Sequence, residues 1–201
     1  MENLKNMEVV PKSVIEKIKE LYRVELIEIS YDDLPIEVKK HFESQSGKFI
    51  LPEAYKERNF TKLYMFTHPN GDVTYIGQQD KEYDTNKETE RLTYFADIRG
   101  EEMIGYLEMR LALTNLSQYF KGKPFVGFTR TKEGYFGEGL ALRRLEEANA
   151  YALAEHGLPL NSDSLVTDEA RGVWSKLISE GKVEDYDEKG KIRYRFIKLA
   201  Q

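Results

Sequence analysis

Near residue 137 the chain changes its period. Residues 125–131, FVGFTRT, are aromatic and β-branched, the composition of a strand. From Tyr135 to about His156 the spacing is helical, with Ala141, Leu145, Ala148 and Ala152 forming one narrow stripe. Its alanines permit close packing on a sheet. Gly137 and Gly139 sit one residue apart at the junction, and Gly157 closes the helix as a left-handed cap would. Two readings of the pair stand side by side. It makes a tight turn, or it leaves backbone bare so that a phosphate can approach.

The flanking segments supply the rest of the architecture. SVIEKIKELY (13–22) predicts a helix capped by Ser13, and RVELIEIS (23–30) a first strand with Val24, Leu26 and Ile27 as inward candidates. YDDLPIEVKKHFES (31–44) predicts a short helix with Pro35 in its first turn and Gly47 past its end. FTKLYMFTHPNGDVTYIGQQ (60–79) predicts a hairpin turning at Pro69–Asp72. The charged residues 80–92 are expected as a loop or exposed turn, and MIGYLEMRLAL (103–113) as a strand with Leu107, Met109 and Leu111 opposite Tyr106, Glu108 and Arg110. After the long helix, LPLNSDSL (158–165) reads as a strand, and TDEARGVWSKLISEGKV as a helix capped by Thr167 or Asp168 and ended by Gly181. The last hairpin turns at Glu188–Gly190, with Ile192, Tyr194 and Phe196 on one face and Lys191, Arg193 and Arg195 on the other. This order predicts an α/β (α+β) fold: a central, mostly antiparallel mixed sheet with helices on both faces. Residues 1–59 are read as N-terminal helices and a first strand of the same domain, and 60–201 as its core.

Composition narrows the chemistry. With no cysteine among 201 residues, disulfides, thiolate–zinc sites and cysteine nucleophiles are excluded. His41, His68 and His156 lack ligand-like spacing, so no metal is expected. A net charge of -5 and a pI of about 5.4 argue against the basic field of a nucleic-acid binder. No apolar run approaches the roughly 18 residues that cross a bilayer, and a cytoplasmic protein without membrane partners is expected.

A meander, a strand, a Gly-x-Gly turn into a long helix, then a strand and a second helix resembles the GCN5-related N-acetyltransferase (GNAT) family. The likeness covers residues 104–200 and, more loosely, 60–79. RRLEEANAYALAEHGLPLNSDSLVTDEARGVWSKLISEG also looks like acetyltransferase-like proteins encoded by bacteriophages. The resemblance implies an acyl-CoA N-acyltransferase fold and an acetyl-CoA-dependent transfer to a primary amine of a protein or small molecule. It implies no metal, and it leaves a homodimer open. The family's signature is Arg or Gln, two residues, Gly, one residue, then Gly or Ala. It opens a helix whose free N–H groups and dipole bind the coenzyme A pyrophosphate. Gly137 and Gly139 match the small positions, with Gly134 where Arg or Gln is usual, Glu138 between them and Leu140 after them. Thr129, Arg130 and Thr131 would offer backbone to the pantetheine arm, and a backbone N–H near Thr129 would meet the oxyanion; Thr167 would stand at the start of the following helix, beside the cofactor.

For the chemistry, the family's tyrosine acid lies in a pattern Asn-x-x-Ala-x-x-Leu-Tyr. Here Thr167, Ala170, Val173 and Trp174 occupy it, and an indole cannot protonate a thiolate. Trp174 is either an anchor on the sheet or a stacking surface. Glu108 is either ion-paired or a base acting through water. Ser162 and Asp163 either line the site or cap the next helix. The alternative function is a catalytically idle protein of the same fold that binds a protein partner.

Overall fold

A computed structural model describes residues 26–46, 60–83, 88–114, 122–163 and 166–197. The helix expected at 13–22, the start of the first expected strand and Gly47 lie outside these residues. Among the described residues eight strands and three helices follow in the order β1 (Ile27–Glu28), α1 (Ile36–Ser46), β2 (Lys62–Thr67), β3 (Val73–Tyr83), β4 (Glu88–Arg99), β5 (Glu102–Ala112), β6 (Phe125–Thr131), α2 (Leu140–His156), α3 (Asp168–Ser179), β7 (Val183–Glu188) and β8 (Lys191–Phe196). Strands β1 to β6 form one antiparallel sheet in sequence order, and β7 pairs with β8. Among the described residues no helix is long and apolar enough to cross a membrane.

Alternation divides the core. Tyr64, Phe66, Ile76, Phe95, Leu107 and Met109 point to one face, where Leu145, Ala148, Tyr151 and Ala152 of α2 and Trp174 and Leu177 of α3 cover them. Leu63, Tyr75, Leu92, Tyr94, Ala96 and Ile98 point to the other, against Leu34, Val38 and Phe42 of α1 and the segment before it. Helices on both faces thus follow from strands that are apolar on both.

Four expectations need correction. Most of 80–92 is strand, not loop: 80–83 extend β3 and 88–92 open β4, paired from Val73↔Ile98 to Tyr83↔Glu88, with 84–87 outside the described residues. Exposed strand ends can be charged when the charges match across the ladder, as Arg91 and Asp80 do at 2.7 Å. Residues 158–163 form no strand; Asn161 alone makes β-bridges, to Phe125 and to Arg195. The long helix begins at Leu140, not Tyr135. In β8 Tyr194 and Phe196 are buried as expected, but Ile192 is exposed and Arg193 is buried, paired with Glu188 at 3.0 Å.

Candidate functional site

Asn161 is a wedge. Val126 N–H donates to the Asn161 carbonyl and Asn161 N–H to the Pro124 carbonyl, each at 2.9 Å. The Asn161 amide nitrogen donates to the carbonyls of Pro124 and Pro159. On its far side Ser162 N–H donates to the Tyr194 carbonyl at 2.8 Å, which joins β8 to the main sheet through this short segment. Among the described residues no backbone hydrogen bond joins β6 to it beyond Val126. Among the described residues no strand pairs with the outer edge of β6 past this point.

Which groups face that edge follows from the ladder. Between β5 and β6 the register slips at Gly127, pairing Glu108 with Phe128 but Met109 with Val126. Past this bulge, Lys132 N–H donates to the Ile104 carbonyl at 2.9 Å. By antiparallel alternation, residues 128, 130 and 132 therefore bond to β5, and the main-chain groups of Thr129 and Thr131 point outward. They border a cavity of about 540 Å³ between β6, α2 and α3, within the usual range for small-ligand sites.

The glycine turn closes one end of this cavity. Gly137 and Gly139 have φ of 86° and 79°, a left-handed conformation that fits glycine, and a Cβ at either would meet no atom within 4 Å. Gly139 is the N-cap of α2 and offers no side-chain cap. The first N–H groups of α2 therefore have no helical partner and lie at its positive dipole end. Glu138 turns to Arg99, 2.9 Å away, and is not among the lining residues.

Of the residues singled out from sequence, Thr129, Arg130, Thr131, Gly137, Gly139, Leu140, Asp163, Thr167 and Trp174 line this one cavity. Gly134, Glu138, Ser162 and Glu108 do not. Ser162 is fully buried and its hydroxyl accepts from Tyr194 N–H, so it ties the wedge to β8. Glu108 is bonded by Arg110 at 2.5 Å, and the pair lies over Gly127 on the α1 face of the sheet. Thr167 accepts from Ala170 N–H as the N-cap of α3 and also lines the cavity. Trp174 is buried, parallel to Tyr194 at 5.6 Å and edge-on to Phe196 at 5.9 Å, and it also lines the cavity. The indole thus anchors α3 on the β7–β8 hairpin and also borders the cavity.

Sequence reasoning missed Tyr135, Phe136, Val166, Glu169 and Lys176, which also line it. The helical spacing of 169, 170, 173 and 176 was the available signal on α3. Tyr135 donates to Glu102 at 2.5 Å, and this carboxylate holds its phenol above the ordinary range.

Beneath the glycine turn lies a polar network that the sequence did not announce. Asp97 accepts from Thr74 at 2.7 Å and from Arg144 at 2.8 Å, and both members of the Asp97–Arg144 pair are fully buried. Arg144 also donates to the Arg130 carbonyl and the Thr131 hydroxyl, fixing the end of β6 to α2. Asp72 accepts from Arg99 and Arg143, and their hydrogen bonds hold its carboxyl far below the usual range. His68 sits 2.7 Å from the Thr74 hydroxyl, which itself donates to Asp97; the ring nitrogen is therefore the donor. Burial pushes the Glu147 carboxyl well above its ordinary value. Ligand atoms of His68, Asp97 and Glu147 lie within 4.8 Å of one another, yet Arg143 stands against both carboxylates and Arg144 against Asp97. This is an internal ion-pair network, whose arginines already supply the positive charge.

Burial also lowers the histidines: His41 and His68 to about 4, and His156 below its ordinary value. Unfolded, each titrates near 6.5, so as pH falls the unfolded chain takes up protons first. This contribution to stability is expected to be full above about pH 6.5 and to drain as pH falls towards 4. Melting curves between those limits check it. His41→Phe should make the slope shallower; an unchanged slope refutes histidine burial as its origin.

The chain matches none of the protein-family models scanned and none of the curated proteins searched.

Proposed function

We propose that the protein is an acyl-CoA-dependent N-acyltransferase with a GNAT-like fold, acetyl being the transferred group and a primary amine the acceptor. One observation carries the reading: an unpaired strand edge and a bare helix N-terminus border the same cavity. A pantetheine arm is an extended chain of amides, which an open β-edge pairs as it would another strand. A diphosphate suits the α2 N-terminus. The wedge at Asn161 keeps the edge open, and the Arg144 clamp sets its angle to the glycine turn. Acetyl-CoA and coenzyme A are the co-substrate and product on this reading, in a cytoplasmic setting.

The amine nitrogen attacks the thioester carbonyl and the C–S bond then breaks. The amide keeps the acetyl group, and the proton lost from nitrogen balances the departing thiolate. Outward main-chain N–H at Thr129 is suited to the oxyanion, a role that needs no side chain. Trp174 gives the thiolate no acid, so the proton returns to it through water. Asp163, at the mouth of the opened strand pair, is the carboxylate within the cavity best suited to take the amine's proton.

A second reading, an idle protein of this fold that binds a partner, is favoured by the same indole. Thermal unfolding with acetyl-CoA comes first. At a hundredfold excess over its dissociation constant the ligand adds about 2.7 kcal/mol, a rise in Tm of roughly 5–10 °C for a chain of this length. No rise at millimolar acetyl-CoA removes the enzyme reading. A rise without acetyl transfer to a panel of amines selects the second.

A further inference from the structure

The glycine turn carries two adjacent aromatic rings with opposite fates. Tyr135 is tied down: its hydroxyl bonds Glu102, and the Arg99 guanidinium stands 5.2 Å from its ring centre. Phe136 is 69% exposed and has no ring partner among the described residues. It nevertheless borders the cavity, one residue before Gly137. A large apolar ring thus stands mostly in water at the border of the cavity, stacked on no other ring among the described residues. The turn itself does not require it, because Gly137 and Gly139 set the backbone path.

We infer that Phe136 is a nucleotide-reading residue: its ring stacks on the adenine of the coenzyme, and it selects thioesters that carry a purine nucleotide over those that end at the pantetheine arm. This rests on the proposed function, since it presumes a diphosphate on the α2 N-terminus. The covalent geometry of the ligand then does the rest. Only a ribose separates the diphosphate from the base, so a diphosphate held at Gly137–Leu140 delivers the purine to the outer lip of the turn, where Phe136 lies. A purine offers a flat π-face, and stacking on an aromatic ring asks for no hydrogen bonds, which suits an exposed position.

The test uses the full chain and two probes. Etheno-coenzyme A, whose fluorescent base is quenched when it stacks, reports the contact; acetyl-phosphopantetheine keeps the arm and one phosphate but lacks the nucleotide. Phe136→Ala should leave Tm unchanged, the side chain being exposed. It should weaken etheno-coenzyme A binding about tenfold or more, abolish the quench, and leave acetyl-phosphopantetheine affinity as it was. Phe136→Trp should restore affinity and quench. If wild type binds etheno-coenzyme A unquenched, or the alanine variant binds it equally well, the inference falls while the acyltransferase reading stands. Equal losses for both probes also overturn it, because the residue then shapes the turn without touching the base. If wild type binds neither probe, the functional reading itself fails.

Discussion

Asp97→Ala should be among the most damaging single substitutions in this chain, costing about 3–5 kcal/mol of folding stability. The reason is what it leaves behind. Arg144 is fully buried and its guanidinium reaches Asp97 at 2.8 Å. Without that carboxylate a permanent charge stays in the interior with a carbonyl and a hydroxyl for company. Arginine cannot shed its proton to escape, as a buried lysine can. The Thr74 hydroxyl loses its acceptor as well, and with it the His68 contact. Urea unfolding at pH 7.5 measures the loss. Asp97→Leu combined with Arg144→Met should recover most of it, because removing both charges also removes the desolvation they require. A single variant that costs less than about 1 kcal/mol would show that water reaches the pair and that the network is not what fixes β6 to α2.

That network was invisible to sequence reasoning for a physical reason. Its members, Asp72, Thr74, Asp97, Arg143, Arg144 and Glu147, come from a hairpin turn, two strands and a helix, and buried ion pairs leave no period along the chain. Asp72 read as a turn residue, which it also is: Asn70 and Asp72 bond each other across the turn at 2.9 Å. The apolar stripe of α2 was legible, and Leu145, Ala148 and Ala152 are buried as expected. The charged positions beside it gave no sign of burial, yet Arg144 and Glu147 are inside. Strand β4 went unread because its first residues are charged and period-2 alternation shows only from Leu92 onward. The glycine turn was legible because its backbone demand falls on one residue type. Gly105 was not, although a Cβ there would overlap the Arg144 guanidinium and crowd the Arg130 carbonyl at 2.9 Å. The same buried arginine that explains this glycine bonds the end of β6, so architecture and candidate site share one determinant.

Trp174→Ala should cost about 3–5 kcal/mol and lower Tm by roughly 6–20 °C. The indole, 3% exposed, lies flat on Tyr194 and edge-on to Phe196, so it welds α3 to the β7–β8 hairpin. Among the described residues that hairpin is hydrogen-bonded to the main sheet through the Asn161 wedge and the bonds beside it, with Ser162 N–H on the Tyr194 carbonyl and Phe196 N–H on the Leu160 carbonyl at 3.1 Å. Truncation therefore loosens the element that holds the strand edge open, as well as leaving a void. The void also joins the cavity above it, so the acetyl-CoA-induced rise in Tm should shrink in this variant. Trp174→Phe keeps a flat ring on Tyr194 and should retain more than half of the lost stability and the full ligand response. Because this is the single tryptophan of the chain, its emission should also shift when acetyl-CoA enters the cavity. Wild-type stability in the alanine variant would mean that the hairpin is held by its own contacts, and the indole's place would then be explained by the cavity alone.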